Sequence, residues 1–150
     1  MANVIVNDIF GKQFEVDTSE LKFRVSVYGL LIKDNQVLVQ RVPVSKKYSL
    51  PGGAIKLGEQ IPSALIREFK EETNVDIEVT ELIGIKTSFF ISFGHKYHNI
   101  LLAYKVSPVS ENYTLMSNHN DSTDIKFVPI SELDNNLNDV FKYFIDLVFN

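Results

Sequence analysis

The stretch from Leu50 to Val75 constrains this chain most, because it joins a glycine turn to an acidic helix. It opens with Leu-Pro-Gly-Gly, and paired glycines allow backbone conformations that other residues avoid. It closes with Arg-Glu-Phe-Lys-Glu-Glu-Thr-Asn at residues 67–74, which is typical of a helix with one apolar and one acidic side. Three carboxylates fall within one arc of about 100° on that helix: Glu68, Glu71 and Glu72.

Grouped carboxylates on one helix face indicate that a cation belongs there. The pair formed by Glu68 and Glu72, four residues apart, costs an isolated helix roughly 0.2–0.5 kcal/mol, and Glu71 adds to the repulsion. Hard divalent ions such as Mg²⁺ and Mn²⁺ take carboxylate and carbonyl oxygens as ligands. The sequence therefore favours a metal site between the turn and the helix over a solvated acidic surface helix.

The spacing within this stretch resembles the Nudix box, the signature of the MutT-like Nudix hydrolases. The demanding positions of that signature correspond here to Gly53, Glu59, Arg67-Glu68 and Glu71-Glu72. One position departs, since Asn74 stands where the family has the glycine that ends the helix in a left-handed conformation. Asparagine is the next most tolerant residue there, so we expect the departure to affect the helix cap and not the chemistry.

The resemblance implies both a fold and a reaction. The fold would be α/β (α+β), a Nudix-type α/β/α sandwich with a mixed β-sheet. The reaction would be metal-dependent hydrolysis of a pyrophosphate bond in a nucleoside diphosphate linked to another moiety, by attack of water on phosphorus. Such chemistry needs neutralised phosphate oxygens and an activated water, which a divalent metal supplies. The implied cofactor is Mg²⁺, with Mn²⁺ as the alternative.

The resemblance also assigns roles within the box. The implied metal ligands are three carboxylates and one backbone carbonyl: Glu68, Glu71, Glu72 and Gly52. Arg67 is expected to pair with Glu59 and orient the acidic cluster, because a guanidinium suits a bidentate carboxylate bond. The general base would be Glu68 or Glu71, acting directly or through a metal-bound water.

Residues outside the box are candidates for substrate binding. Arg41, at a strand end, is a candidate phosphate ligand, whereas the lysines of the loop at residues 42–49 fit a solvated position better. Tyr48 either stacks on a base or packs beneath that loop. The polar loop at residues 107–124 is expected to help close the site, with Asp121 or Asp124 as a further metal ligand or base.

The remaining sequence predicts strands, one further helix and an extension. Strands are predicted at residues 23–32, 37–41, 76–92, 97–106 and 125–129, with helices beginning near Ile61-Pro62 and spanning Leu137 to Phe149. We expect residues 1–150 to form one domain, in which residues 1–20 form a hairpin extension. That extension would add strands to the sheet, contribute to a dimer interface or form a local flap.

Composition narrows the partners and the compartment. Cysteine is absent, and we find neither a signal peptide nor an apolar run near the roughly 18 residues that a membrane span needs, so we expect a cytoplasmic protein. The net charge of −4 disfavours an extended nucleic-acid surface and leaves a small-molecule nucleotide as the expected partner. The terminal helix has further apolar residues that leave a homodimer contact as an open alternative: Ile145, Leu147 and Phe149.

Several alternatives are weaker. A regulatory module that senses a ligand without hydrolysing it would usually lack the box carboxylates, and RNA decapping would want a basic groove. A zinc site at His95 and His98 lacks a third ligand. A calcium loop around Asn118 and Asn120 lacks the glycine and the bidentate glutamate that such loops require.

Overall fold

A computed structural model describes residues 2–117 and 123–150, so the predictions for Asp121 and for the loop around it lie outside the described residues. The described residues form nine strands and two α-helices. The strands are β1 (Asn3–Asn7), β2 (Gln13–Asp17), β3 (Lys22–Lys33), β4 (Gln36–Arg41), β5 (Tyr48–Ser49), β6 (Gly52–Ala54), β7 (Ile77–Ser92), β8 (His95–Pro108) and β9 (Thr123–Pro129). The helices are α1 (Ile61–Thr73) and α2 (Asp139–Phe149).

The strands form one mixed sheet around β3. Its order is β2-β1-β7-β8-β3-β4-β5, with β6 also paired to β3 and β9 to β4. Strand β3 is parallel to β8, whereas β4 and β6 are antiparallel to it. A tight turn joins β3 to β4 because Asp34 and Asn35 both adopt positive φ angles, of 51° and 59°. Polar residues that tolerate this conformation therefore determine where β3 ends.

The two helices cover opposite faces of the sheet. Side chains alternate along a strand, so neighbouring residues of β3 face different helices. Val27 belongs to the cluster with Leu65 and Phe69 of α1, whereas Leu30 belongs to the cluster with Phe144 of α2. This arrangement is the α/β/α sandwich with a mixed sheet that the resemblance implies, and that prediction is confirmed.

The N-terminal residues form an antiparallel hairpin that joins the sheet. Register runs from Asn3 opposite Asp17 to Asn7 opposite Gln13, and Asn7 also pairs in parallel with Phe90 of β7. Val6 is fully buried. Of the three alternatives for this extension, the structure shows the addition of strands to the sheet.

The terminal helix begins two residues later than predicted. Asn138 caps it by accepting a 3.4 Å hydrogen bond from the backbone N–H of Val140. Leu137 instead lies outside the helix, bridged to Tyr48. Ile145, one of three residues through which the sequence leaves a dimer contact open, is 5% exposed and packs in the core instead. In the described part of the chain, neither helix is long and apolar enough to cross a membrane.

The hairpin of β7 and β8 is longer than predicted. Its turn lies at Phe93-Gly94, and His95 and Lys96 belong to β8. His98 packs between two phenylalanine rings, with ring centroids 5.3 Å from Phe23 and 4.8 Å from Phe89. His95, by contrast, is exposed, and its Nδ1 lies 3.0 Å from Nζ of Lys22.

Candidate active site

The glycine turn passes too close to β3 and α1 for any side chain. A Cβ atom on Gly53 would lie 2.7 Å from the carboxyl carbon of Glu68. A Cβ atom on Gly52, whose φ is 151°, would clash with the backbone oxygen of Val27. Both glycines are therefore needed to bring the backbone of β6 against the acidic face of the helix.

Arg67 lies at the centre of the acidic cluster. Its Nε and Nη2 donate to the two oxygens of Glu59 at 2.7 and 2.9 Å, which is the bidentate pairing that the resemblance implies. Its Nη1 donates to Glu68 at 2.9 Å and to Glu71 at 3.3 Å. One guanidinium thus fixes three of the box carboxylates relative to one another.

These contacts keep both Arg67 and Glu59 charged. Hydrogen bonds from Arg67, and then from the backbone N–H of Lys56, lower the pKa of Glu59 to about 2. The hydrogen bond to Glu59 in turn raises the pKa of Arg67 above its ordinary value. At neutral pH both groups are ionised, so the pair is a permanent support for the cluster.

Glu72 connects the helix to the turn and to β4. Its Oε2 accepts a 2.7 Å hydrogen bond from the backbone N–H of Gly52 and a 3.0 Å bond from Nε2 of Gln40. Gln40 is 6% exposed. The sequence analysis did not identify Gln40, because it lies outside the box motif and a single glutamine at a strand end forms no motif of its own.

The residues of this face fit a hard divalent cation by the chemistry of their donors. Carboxylate oxygens from Glu68, Glu71 and Glu72 lie on one helix face beside the backbone of the glycine turn, and such oxygens suit Mg²⁺ and Mn²⁺. Among the described residues no three acidic or histidine side chains form a ready metal cage. Instead, Glu68 and Glu71 both form ion pairs with the guanidinium group of Arg67.

Arg41 and Tyr48 lie together at the end of β4. The guanidinium lies 4.6 Å from the centre of the tyrosine ring and donates to its hydroxyl at 2.6 Å. Arg41 also forms an ion pair with Asp124 at 3.5 Å, and Lys126 approaches the same ring at 5.5 Å. Tyr48 is 6% exposed, so of its two alternatives the structure shows packing beneath the loop and not an open ring for stacking.

A cavity of about 600 Å³ adjoins the acidic face. Gln40 and Gly52 line it, and both contact Glu72. Its aromatic wall includes Tyr28 and Phe141, whose ring centroids lie 4.8 Å apart. The cavity therefore offers a place for the rest of a substrate whose reacting group lies at the carboxylates.

The floor of the cavity is polar and uncharged. Asn99, 2% exposed, accepts a 3.0 Å hydrogen bond from the hydroxyl of Ser26. Burial raises the pKa of the Tyr28 hydroxyl, which keeps this group neutral, although the charge of Arg24 partly offsets the rise. Ser26 and Asn99 could have been recognised in the sequence as single polar residues within apolar strands.

Residues 109–117 of the loop at residues 107–124 lie elsewhere, whereas Asp124 at its end pairs with Arg41. Thr114 accepts a 3.0 Å hydrogen bond from the side chain of Asn74, and the backbone N–H of Met116 donates to Thr73 at 3.1 Å. These contacts place residues 109–117 at the C-terminal end of α1. None of the loop residues that the structure describes lines the cavity, and the closing role of the loop stays a prediction.

Comparisons with known sequences identify relatives. The family model for the NUDIX domain matches residues 22–147. Over 67 residues the chain is 37% identical to an ADP-ribose pyrophosphatase from Methanocaldococcus jannaschii, covering 43% of this chain and 40% of that protein. Over 99 residues it is 26% identical to the putative ADP-ribose pyrophosphatase YjhB from Bacillus subtilis, covering 64% of this chain and 48% of that protein. The chain thus spans less than half the length of these curated relatives.

A solved structure shares the fold. The crystal structure of a MutT NUDIX hydrolase from Burkholderia pseudomallei matches with a TM-score of 0.72 and 19% identity, covering 85% of this chain and 98% of that chain. At this level of identity the similarity establishes the architecture alone.

Proposed function

The chain belongs to the NUDIX family, and on that premise we propose that it hydrolyses a pyrophosphate bond in a nucleoside diphosphate linked to another moiety. The observation that carries the proposal is the contact of Glu72 with both Gly52 and Gln40, which joins the acidic face to the cavity. A substrate seated in the cavity would present its phosphates to the carboxylates of α1.

The box residues would hold the metal and the reacting groups in place. Glu68, Glu71, Glu72 and the carbonyl of Gly52 would bind Mg²⁺ or Mn²⁺. A bound divalent ion neutralises phosphate oxygens and lowers the pKa of water. Arg67, held by Glu59, would keep the carboxylates at fixed positions as the substrate enters. These residues thus supply orientation that a flexible acidic surface would lack.

The proposed reaction is a single displacement at phosphorus. Water attacks phosphorus and transfers a proton to Glu68 or Glu71, while the bond from phosphorus to the bridging oxygen breaks. The products are a nucleoside monophosphate and the phosphorylated second moiety. Arg41, 33% exposed at its side chain, would bind a phosphate oxygen, and Tyr48 would position its guanidinium.

The names of the relatives make ADP-ribose the first substrate to test. Its hydrolysis would yield AMP and ribose 5-phosphate. Turnover of ADP-ribose should be compared with that of dinucleoside polyphosphates, nucleotide sugars and oxidised nucleoside triphosphates, because the box determines the phosphate chemistry while other residues choose the substrate.

We expect Glu71→Gln and Glu72→Gln each to lower kcat by about 100-fold or more, because each removes a carboxylate that would hold the metal. Product release with Mg²⁺ is the measurement, and chelation of the metal with EDTA should abolish it. Glu78→Gln, at an exposed position of β7, is the control that should retain activity.

Wild-type turnover in both site variants would refute the assignment of the site. Binding of ADP-ribose without any product release would instead favour the ligand-sensing alternative.

A further inference from the structure

The N-terminal hairpin, at Asn3–Asp17, forms one wall of the cavity. It lies before Lys22, the first residue matched by the family model. Its contribution comes from the end of β1, the turn and the start of β2: Asn7, Asp8, Ile9, Gly11 and Gln13.

The wall is ordered by its own contacts. Val6 is fully buried and Val16 is 4% exposed, so the hairpin is anchored by packing as well as by strand pairing. Within the turn, the carboxylate of Asp8 accepts hydrogen bonds from the backbone N–H groups of Phe10 and Lys12, each at 2.9 Å. A wall held in this way can position a ligand without first being ordered by it.

Two hairpin side chains face the cavity as a pair. Asn7 and Gln13 are cross-strand partners, so their side chains lie on the same face of the hairpin. Asn7 is also in register with Phe90, an aromatic residue of the cavity. The hairpin thus places two amide groups, each both donor and acceptor, beside an aromatic ring.

The side chains that line the cavity carry little net charge. The charged side chains among the described lining residues are Asp8, Lys47 and Asp139, which sum to one negative charge. The other polar groups of the lining are amides and hydroxyls, and aromatic rings provide flat apolar surfaces. A ring system with hydroxyl groups and ring nitrogens would satisfy these groups, whereas a further phosphate or a carboxylate would meet two carboxylates and a single cation, Lys47.

We propose that the N-terminal hairpin is a specificity element that selects an uncharged nucleoside moiety, with hydrogen bonds from Asn7 and Gln13 and an apolar contact from Ile9. The inference rests on the proposed function in placing the phosphates at α1. Binding of the nucleoside nevertheless requires no hydrolysis, so the two can be tested separately.

The test measures dissociation constants of AMP and adenosine by calorimetry. We expect the double variant Asn7→Ala/Gln13→Ala to bind both compounds about tenfold more weakly or worse, because two amide contacts are lost. Ile9→Glu should weaken binding as well, whereas Ile9→Leu should restore it. The matched control is Phe10→Ala, in the same turn but 72% exposed and outside the cavity lining, which should bind like the wild type.

Kinetics give a second readout. The double variant should raise the KM for ADP-ribose while leaving kcat unchanged, because the hairpin does not contact the reacting phosphates. The near-ultraviolet circular dichroism spectrum of each variant checks that the fold persists. A variant that loses its fold is replaced by Asn7→Ser or Gln13→Ser, which shorten the side chain and keep a polar group.

Each outcome is decisive. Unchanged binding of AMP and adenosine in the folded double variant overturns the inference, and so does an absence of binding to the wild type. Tighter binding of ribose 5-phosphate than of adenosine overturns the choice of an uncharged nucleoside. A wild type that hydrolyses nothing but loses adenosine binding in the double variant refutes the proposed function and supports the inference.

Discussion

At Gly53 the absence of a side chain determines where Glu68 can lie. An added Cβ would lie 2.7 Å from the carboxyl carbon of Glu68, closer than two carbon atoms approach without displacement. Gly53→Ala should therefore move this carboxylate, and a displacement of about 1 Å lowers turnover by about 100-fold. The measurement is kcat for ADP-ribose with Mg²⁺.

Gly84→Ala is the matched control for that variant. Its Cβ would meet the flexible end of Leu147 at 2.9 Å, an exposed side chain of α2 that can turn away. This control should retain kcat. Equal losses in the two variants would show that the effect of Gly53→Ala is a general loss of packing.

The pair of Glu59 and Arg67 makes stability depend on pH in acid. The pKa of Glu59 is about 2 in the folded chain against an ordinary 4.5, so the unfolded chain binds this proton more readily between those values. The contribution of the pair is therefore fully present above the ordinary pKa and is lost as pH falls towards 2.

Urea unfolding of the wild type and Glu59→Gln, from about pH 6 to about pH 3, measures this dependence. We expect the wild type to be the more stable at the upper end, and the difference to narrow as the pH falls. A difference that stays constant over that range would contradict the assigned pKa.

At the scale of the element, α1 ends where the sequence departs from the family pattern. Asn74 adopts the left-handed conformation with φ 67°, and its side chain donates to the carbonyl of Thr114. The prediction that asparagine serves as the helix cap is confirmed.

Asn74→Ala should cost about 1 kcal/mol, because alanine is strained in the left-handed region and cannot replace the side-chain hydrogen bond. Asn74→Gly should stay near the wild type, since relief of strain offsets the lost bond. Thermal or urea unfolding measures both variants, and kcat should be unchanged in each. A loss of kcat in the folded glycine variant would show that Asn74 contributes to the chemistry.

At the scale of the whole molecule, stability depends on both helices covering the sheet. Phe144 of α2 is fully buried in the core cluster that contains Leu30 and Ala103, whereas Leu147 on the same helix is 51% exposed. Phe144→Ala should lower the free energy of unfolding by about 3–5 kcal/mol through the cavity it leaves. Leu147→Ala should cost less than about 1 kcal/mol. Similar losses for the two would contradict this packing.

The cavity is also a property of the whole molecule. Helix α2 covers the sheet at Leu30 and Ala103, and the sheet continues beyond the start of the helix to Asn99 and Phe90. The first turn of α2 and the N-terminal hairpin form walls around this uncovered part. Three segments that are distant in sequence thus create the volume in which we place the nucleoside.

The sequence by itself determined the local features of this protein. The box residues, the left-handed cap at Asn74 and the extents of α1 and β3 depend on spacing and local conformation, which a linear pattern records. The pairing of Arg67 with Glu59 is the one that the resemblance to the Nudix box implies, and the two side chains form it.

Only the tertiary structure decided which distant residues meet. Gln40 reaches Glu72, Tyr48 is enclosed by Arg41 and Lys126, and Ile145 turns into the core. These contacts depend on how strands β3 and β4, the hairpin and α2 pack in three dimensions. Packing of that kind is set by the sum of many weak contacts, so no short pattern in the chain encodes it.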